Sequence, residues 1–220
     1  MKKLSFVLIA SSVLTFFFVV TIGGRGYTKD DLSLSGNNES KYEYYYENLS
    51  NKVVQIYTTG DKGMSFGTGF FIDNKKTIAT NYHVVRDAKT IYIMFKEDSF
   101  AYKAELITYD VKNDIALLTS KEDFEYEKMQ LSFDAKRHQT VYSCGFSLDY
   151  VVSESEIKDA RAIYENNNYI LINSVLKKGN SGGPVVNEKG EVVGMVTLGT
   201  KSQTYLVPSS KIMNLVYNTH

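Results

Sequence analysis

A single cysteine, Cys144, stands among 220 residues. No internal disulfide can therefore staple the fold, and stability has to come from packing even if the domain works outside the cytoplasm. Its setting, Val141-Tyr142-Ser143-Cys144-Gly145, reads as a buried strand end, and no separate histidine and acid remain to activate its thiol. Charge of one sign is also missing: 25 Lys and Arg are matched by 25 Asp and Glu. With no basic cluster either, the electrostatic footprint of a nucleic-acid binder is excluded. Histidine is scarce, with three in the chain. His220 is the last residue and His138 lies in the polar run Lys136-Arg137-His138-Gln139, so His83 alone sits amid strand-like apolar sequence.

What the chain does have is Gly179-Asn180-Ser181-Gly182-Gly183-Pro184. A serine hydroxyl becomes nucleophilic when a base takes its proton, and the oxyanion created by its attack needs donors already aimed at it. A glycine two residues ahead of the serine lets the backbone adopt a conformation closed to other residues, so that the N–H groups of Gly179 and Ser181 can point into one hole. Alone, the block reads as a Gly-Pro turn between strands. His83, in Ala79-Thr80-Asn81-Tyr82-His83-Val84-Val85, reads alone as a core histidine, and Asp114, in Asn113-Asp114-Ile115-Ala116-Leu117-Leu118, as a turn residue before a strand. Together they are a base, the acid that orients it and a nucleophile, in the chain order of the chymotrypsin template and not of subtilisin or the α/β-hydrolases. That chemistry implies no metal and no cofactor.

The rest of the chain is written in short β-branched and aromatic runs, at residues 53–57, 66–72, 77–80, 91–95, 102–109 and 115–118, then at 141–145, 150–156, 169–172, 184–186, 192–198 and 204–207. Turn sequences such as Asp61-Lys62-Gly63 and Asp73-Asn74-Lys75 punctuate them, an all-β pattern. Six strands per half predict two six-stranded barrels, with the charged stretch 121–128 crossing between them. A cleft between such barrels takes His83 and Asp114 from one and Ser181 from the other. After Pro208, Ser209 or Ser210 caps a short C-terminal helix to about residue 217, with Ile212, Leu215 and Val216 at helical spacing. Ahead of the strands, residues 41–51 hold Tyr42, Tyr44, Tyr45 and Tyr46, which reads as a short helix packed on the barrel or, alternatively, an aromatic contact surface.

Met1-Lys2-Lys3 precedes an uncharged run over residues 4–22. As a helix that run reaches roughly 28 Å, close to the hydrocarbon thickness and longer than the apolar core of a cleaved signal. The expectation is a membrane anchor with its short lysine end inside and the catalytic domain outside, a cleaved signal near Gly23-Gly24 being the alternative. Residues 1–23 are thus read as signal or anchor, 24–50 as a polar linker and tyrosine-rich lead-in, and 51–220 as the domain.

Four blocks carry a family resemblance: Gly67-Thr68-Gly69-Phe70-Phe71-Ile72, Thr80-Asn81-Tyr82-His83-Val84-Val85, Asn113-Asp114-Ile115-Ala116-Leu117-Leu118, and Gly179 to Pro184 followed by Val193-Gly194-Met195-Val196-Thr197. From about Val53 to Val216 the sequence resembles the trypsin-like serine peptidases of the HtrA/DegP type, and spacings of 31 residues from His83 to Asp114 and 67 from Asp114 to Ser181 fit. The resemblance covers the protease domain only: HtrA proteins continue into PDZ domains, whereas this sequence stops at His220, so peptide-gated activation and cage assembly are not carried over. It implies the chymotrypsin-like double barrel and a serine endopeptidase acting on peptides or unfolded proteins. The catalytic residues would be His83, Asp114 and Ser181, with the Gly179 and Ser181 amides as the oxyanion hole. It places Val175 and Leu176 at the base of the specificity pocket and Thr197, Leu198 and Gly199 along its wall. No acid lies among these five, which points to cleavage after small or medium aliphatic residues, while Lys177 and Lys178 leave Glu specificity open. Asn180 occupies the position where many secreted relatives carry an Asp that pairs with a newly cut amine, so activation by N-terminal cleavage is not expected. The rival reading is a catalytically silent, membrane-tethered binding protein on the same fold; an esterase using the same three residues is a third. The oligomeric state is not legible.

Overall fold

The computed structural model describes residues 26–27, 39–147 and 149–219. Two closed antiparallel barrels of six strands each account for most of them. The first is built from β2 (Val53–Gly60), β3 (Gly63–Phe71), β4 (Ile78–Thr80), β5 (Thr90–Met94), β6 (Tyr102–Asp110) and β7 (Ile115–Thr119), in the ring order β2-β3-β4-β7-β6-β5. The second contains β8 (Thr140–Phe146), β9 (Tyr150–Tyr164), β10 (Asn167–Ile172), β11 (Pro184–Val186), β12 (Val192–Gly199) and β13 (Thr204–Pro208), closed by pairing of β8 with both β9 and β11. The expected double barrel is the observed fold.

Each barrel fills with its own side chains, Ile56, Phe71, Ile78, Ile93 and Leu118 in the first and Val141, Ile157, Ile172, Val185 and Leu206 in the second. A third cluster lies between them, where Val53, Phe70, Ala79, Ile115 and Leu117 of the first barrel meet Tyr142, Cys144, Val186 and Met195 of the second. Strands at this seam are buried on both faces. That is why Ile115-Ala116-Leu117-Leu118 is an unbroken apolar run, all four residues buried, where a half-exposed strand would alternate. Each fully buried Ile, Leu or Phe stabilises the fold by about 1.5–3 kcal/mol. Cys144 belongs to this seam, and burial, opposed by a hydrogen bond with Tyr150, pushes its thiol pKa up to about 12, the inert cysteine its sequence context implies.

The helix α1 (Glu39–Asn48) packs rather than offering an aromatic surface. Tyr45 stacks on Tyr142 at 4.3 Å between ring centres and donates its hydroxyl to the Glu188 carbonyl at 3.0 Å. Tyr46 meets Tyr150 edge-on, with the Lys96 ammonium 3.8 Å from its ring centre. Tyr44 stays exposed. A two-residue strand, β1 (Gly26–Tyr27), adds to β9 opposite Ser153 and Val152, inside a stretch whose composition reads as tether. The single-turn helix α2 (Tyr82–Val85) follows β4 directly, and α3 (Ser209–Tyr217) closes the chain with Ile212 buried and Leu215 and Val216 against the seam. Neither Ser209 nor Ser210 caps α3 as expected: Pro208 holds the cap position without a side-chain bond, and the buried Ser209 hydroxyl is committed to the Val192 carbonyl at 2.6 Å. Strand β9 runs eight residues past its expected end at 156.

Among the described residues no helix is long and apolar enough to cross a membrane. The expected anchor at residues 4–22 lies outside the described residues.

Candidate active site

His83 is the second residue of α2, the turn that leaves β4, and Asp114 is the last residue of the tight turn leading into β7. Since β4 and β7 are paired through Thr80 and Ala116, both residues emerge at the same end of the same strand pair. Asp114 Oδ2 lies 2.7 Å from His83 Nδ1, and Asp114 Oδ1 accepts the His83 backbone N–H at 2.9 Å. With the carboxylate ionised, Nδ1 carries the proton and donates, which leaves Nε2 as the basic nitrogen. The Asp114 carbonyl in turn accepts from the Tyr82 amide at 3.3 Å and the Asn81 side-chain amide at 3.0 Å. Asp114 thus holds the turn that carries His83.

A third donor reaches the carboxylate from the other barrel. Thr197 is buried, and its hydroxyl donates to Asp114 Oδ2 at 2.6 Å. Burial alone would raise the Asp114 pKa, but the hydrogen bond and charge of His83 and the Thr197 hydroxyl outweigh it and hold the carboxyl below its usual range. Sequence reading put Thr197 in a pocket wall and missed this contact, because a hydroxyl's partner 83 residues away leaves no local pattern.

Ser181 belongs to the loop between β10 and β11 and is pinned against the first barrel. Its carbonyl accepts the Thr68 amide at 2.8 Å. A side chain at Gly67 would collide with Val84, the neighbour of His83, at 2.8 Å and would press on the Ser181 carbonyl at 3.1 Å. Gly182, at φ 84°, donates its amide to Val196, and a Cβ there would meet the Thr68 carbonyl at 2.2 Å and the Asn81 amide nitrogen at 3.2 Å. The serine loop is thus wedged between Thr68 and the residue two ahead of His83, and only glycine fits that gap. Gly179, at φ 101°, takes up the left-handed conformation that its identity anticipates, its own carbonyl accepting from the buried Thr68 hydroxyl at 2.8 Å. Among the described residues, no hydrogen bond is made by the Gly179 or Ser181 amide to another backbone group. Asn180 is buried.

The remaining expected pocket residues are spread out. Val175 is exposed, Leu176 packs partly into the second barrel, and Leu198 and Gly199 lie exposed at the end of β12. Lys177 and Lys178 are exposed beside them. Strand β11 pairs with β12 only as far as Pro184 opposite Met195, whereas β13 follows β12 out to Gly199. Among the described residues, 197–199 thus have one strand partner and an open edge.

A family model for the trypsin-like peptidase domain matches residues 67–195, which includes His83, Asp114 and Ser181. The chain is similar to serine protease HTRA1 of Xenopus tropicalis, with 31% identity over 70% of this chain and 36% of that protein. It is similar also to the "Probable periplasmic serine endoprotease DegP-like" of Pseudomonas fluorescens, with 36% identity over 61% of this chain and 29% of that one. The chain thus spans about a third of the length of these curated relatives. In fold it matches the solved structure of the HtrA-type protease AlgW with tripeptide, at a TM-score of 0.70 and 21% identity, over 77% of this chain and 60% of that one. The chain therefore belongs to the trypsin-like peptidase family, in the company of the HtrA and DegP-like proteases.

Proposed function

We propose that the chain is a serine endopeptidase acting outside the cytoplasm, with Ser181 as nucleophile, His83 as general base and acid, and Asp114 as the group that orients His83. The observation that carries this reading is the His83–Asp114 pair, closed by Thr197 from the opposite barrel at 2.6 Å and adjoined by the Ser181 loop through Thr68 and Val84. In the first step Ser181 Oγ bonds to the peptide carbonyl carbon while His83 Nε2 takes the hydroxyl proton. The Gly179 and Ser181 amides take up the oxyanion, and the tetrahedral centre collapses as His83 returns the proton to the leaving amine. Water repeats the sequence on the acyl-enzyme. Asp114 stays ionised throughout and stabilises the imidazolium that forms each time.

The open edge at residues 197–199 supports binding of an extended peptide as an added strand. The uncharged set Val175, Leu176, Thr197, Leu198 and Gly199 supports a preference for aliphatic side chains before the cleaved bond. A buried Lys or Arg there would lack a partner at a cost of several kcal/mol, whereas an aliphatic group gains roughly 1.5–3 kcal/mol. The periplasmic naming of the DegP-like relative and the apolar run at 4–22 support an extracytoplasmic, membrane-tethered enzyme.

A peptide-library digest, run beside Ser181→Ala, tests this reading. The expected outcome is cleavage after Val, Ala or Leu that vanishes in the variant. A profile dominated by Lys or Arg would refute the pocket, one dominated by Glu would shift specificity to Lys177 and Lys178, and cleavage that survives in Ser181→Ala would refute the mechanism.

A further inference from the structure

The turn that carries Asp114 is short and conformationally costly. Between Asp110 at the end of β6 and Ile115 at the start of β7 the chain reverses, and Asp114 sits at φ 55°. Asp tolerates such a left-handed conformation better than most residues with a side chain, but it still carries a cost that the surroundings offset. Part of the restraint is local. Asp110 Oδ1 accepts the Asn113 backbone amide at 3.0 Å, Asp110 Oδ2 accepts the Asn113 side-chain amide, and the Val111 carbonyl accepts the Asp114 amide at 3.3 Å.

The other part arrives from the second barrel. Asn167, the first residue of β10, donates its side-chain amide to the Lys112 carbonyl at 3.0 Å and to Asn113 Oδ1 at 3.3 Å, with the Tyr169 hydroxyl at 3.4 Å. Its oxygen accepts the Asn168 amide at 3.0 Å and the Lys211 ammonium of α3. Lys211 also donates to the Asn168 carbonyl at 2.8 Å and lies 5.3 Å from the Tyr169 ring centre. The two-residue turn Glu165-Asn166, at φ 47° and 59°, closes the β9–β10 hairpin and delivers Asn167 to the first barrel.

We propose that Asn167, oriented by Lys211, is a positioning residue for the Asp114–His83 pair. This rests on the reading of His83, Asp114 and Ser181 given above. A primary amide is a short group with donors at one end and an acceptor at the other. The ammonium fixes which end faces α3, so the N–H groups must face the Asp114 turn. Thr197 holds the carboxylate; Asn167 holds the backbone that carries it. Both tethers cross from the second barrel, which couples the orienting acid to the barrel that supplies Ser181. Loosening Asn167 lets the turn drift, and a small misplacement of an orienting group costs turnover while leaving the β12 edge untouched.

The test compares wild type with Asn167→Ala, Asn167→Asp, Asn167→Gln and Lys211→Met in the full chain. Asn167→Ala should lower kcat about tenfold with KM within about twofold. It should also move or broaden the low-field proton resonance of His83 Nδ1–H and speed amide exchange at Asn113 and Asp114 but not in β2. Asn167→Asp keeps an acceptor for Lys211 and loses the donors, so it should behave like Asn167→Ala. Lys211→Met should act in the same direction more weakly, and Asn167→Gln should recover part of the loss. Unchanged kcat and an unchanged His83 resonance in Asn167→Ala would overturn the proposal. So would a loss accompanied by faster exchange throughout, since that marks a residue needed only for folding. A wild-type chain that turns over no peptide would sink the reading of the site itself, and the His83 resonance and turn exchange would still decide whether Asn167 positions the pair.

Discussion

Three hydrogen bonds converge on the Asp114 carboxylate, two from His83 and one from Thr197, and they give one residue a measurable pH signature. Its folded-state pKa is held below the ordinary value of 3.8. A depressed pKa contributes stability that is present in full above the unfolded value and is lost as pH falls through the folded one. The difference in unfolding free energy between wild type and Asp114→Asn should therefore be largest above about pH 4 and shrink as pH falls below about 3.8. Urea titrations across that range check it; a gap that stays constant down to pH 2 would mean that the carboxylate is not held as described. At this scale the pairing of His83 with Asp114 and the positive φ of Gly179 were legible, because a base, an orienting acid and an oxyanion loop need particular residue types in a particular chain order. Thr197 and Asn167 were not, since a hydroxyl or an amide that reaches across a cleft looks like any other polar residue in its own strand.

Among the elements, β3 matters most to the site, and Thr68 shows why. Its amide holds the Ser181 carbonyl, its carbonyl accepts the Thr80 hydroxyl at 2.7 Å, and its own hydroxyl donates to the Gly179 carbonyl and accepts the Phe146 amide at 3.0 Å. Thr68→Val keeps the shape and strips the hydroxyl from a fully buried position. Each of the two backbone groups left without a partner should cost about 1–3 kcal/mol. Turnover should fall further than stability explains, because Gly179 loses its anchor two residues from Ser181. Denaturant unfolding with parallel peptide kinetics measures both, and a loss under about 0.5 kcal/mol would show that water or a neighbour replaces the hydroxyl.

The elements themselves were largely readable. Runs such as Val53 to Tyr57 and Val192 to Leu198 carry the β-branched density that a barrel strand demands, and the turns between them are polar. Strand β9 was read short because beyond Glu156 it mixes Lys158, Asp159 and Arg161 with small residues, and its exit at Glu165-Asn166 uses two left-handed residues without a glycine. The Ser209 cap failed for a tertiary reason: the Val192 carbonyl claims the hydroxyl first.

For the molecule as a whole, the two barrels share a seam as large as either interior, and contacts cross between them from Thr197 to Asp114 and from Thr68 to the Ser181 carbonyl. Such contacts exist only while both barrels are docked. The tether is a separate question. The apolar run at 4–22 predicts that full-length protein fractionates with membranes and exposes its catalytic domain on the outer side. Protein that stays soluble in the cytoplasm would contradict this, and a mature chain that begins near Gly24 in the medium would mark a cleaved signal instead.

The central claim is that Ser181 is an activated nucleophile, and mass spectrometry after treatment with a fluorophosphonate reads it directly. The account predicts a single phosphonylated serine, in the peptide that contains Ser181, with the label lost in Ser181→Ala and slowed by on the order of 10³ or more in His83→Ala. An unlabelled wild-type chain that still binds peptides would leave a binding protein on a peptidase fold, and a label on any other serine would move the nucleophile elsewhere.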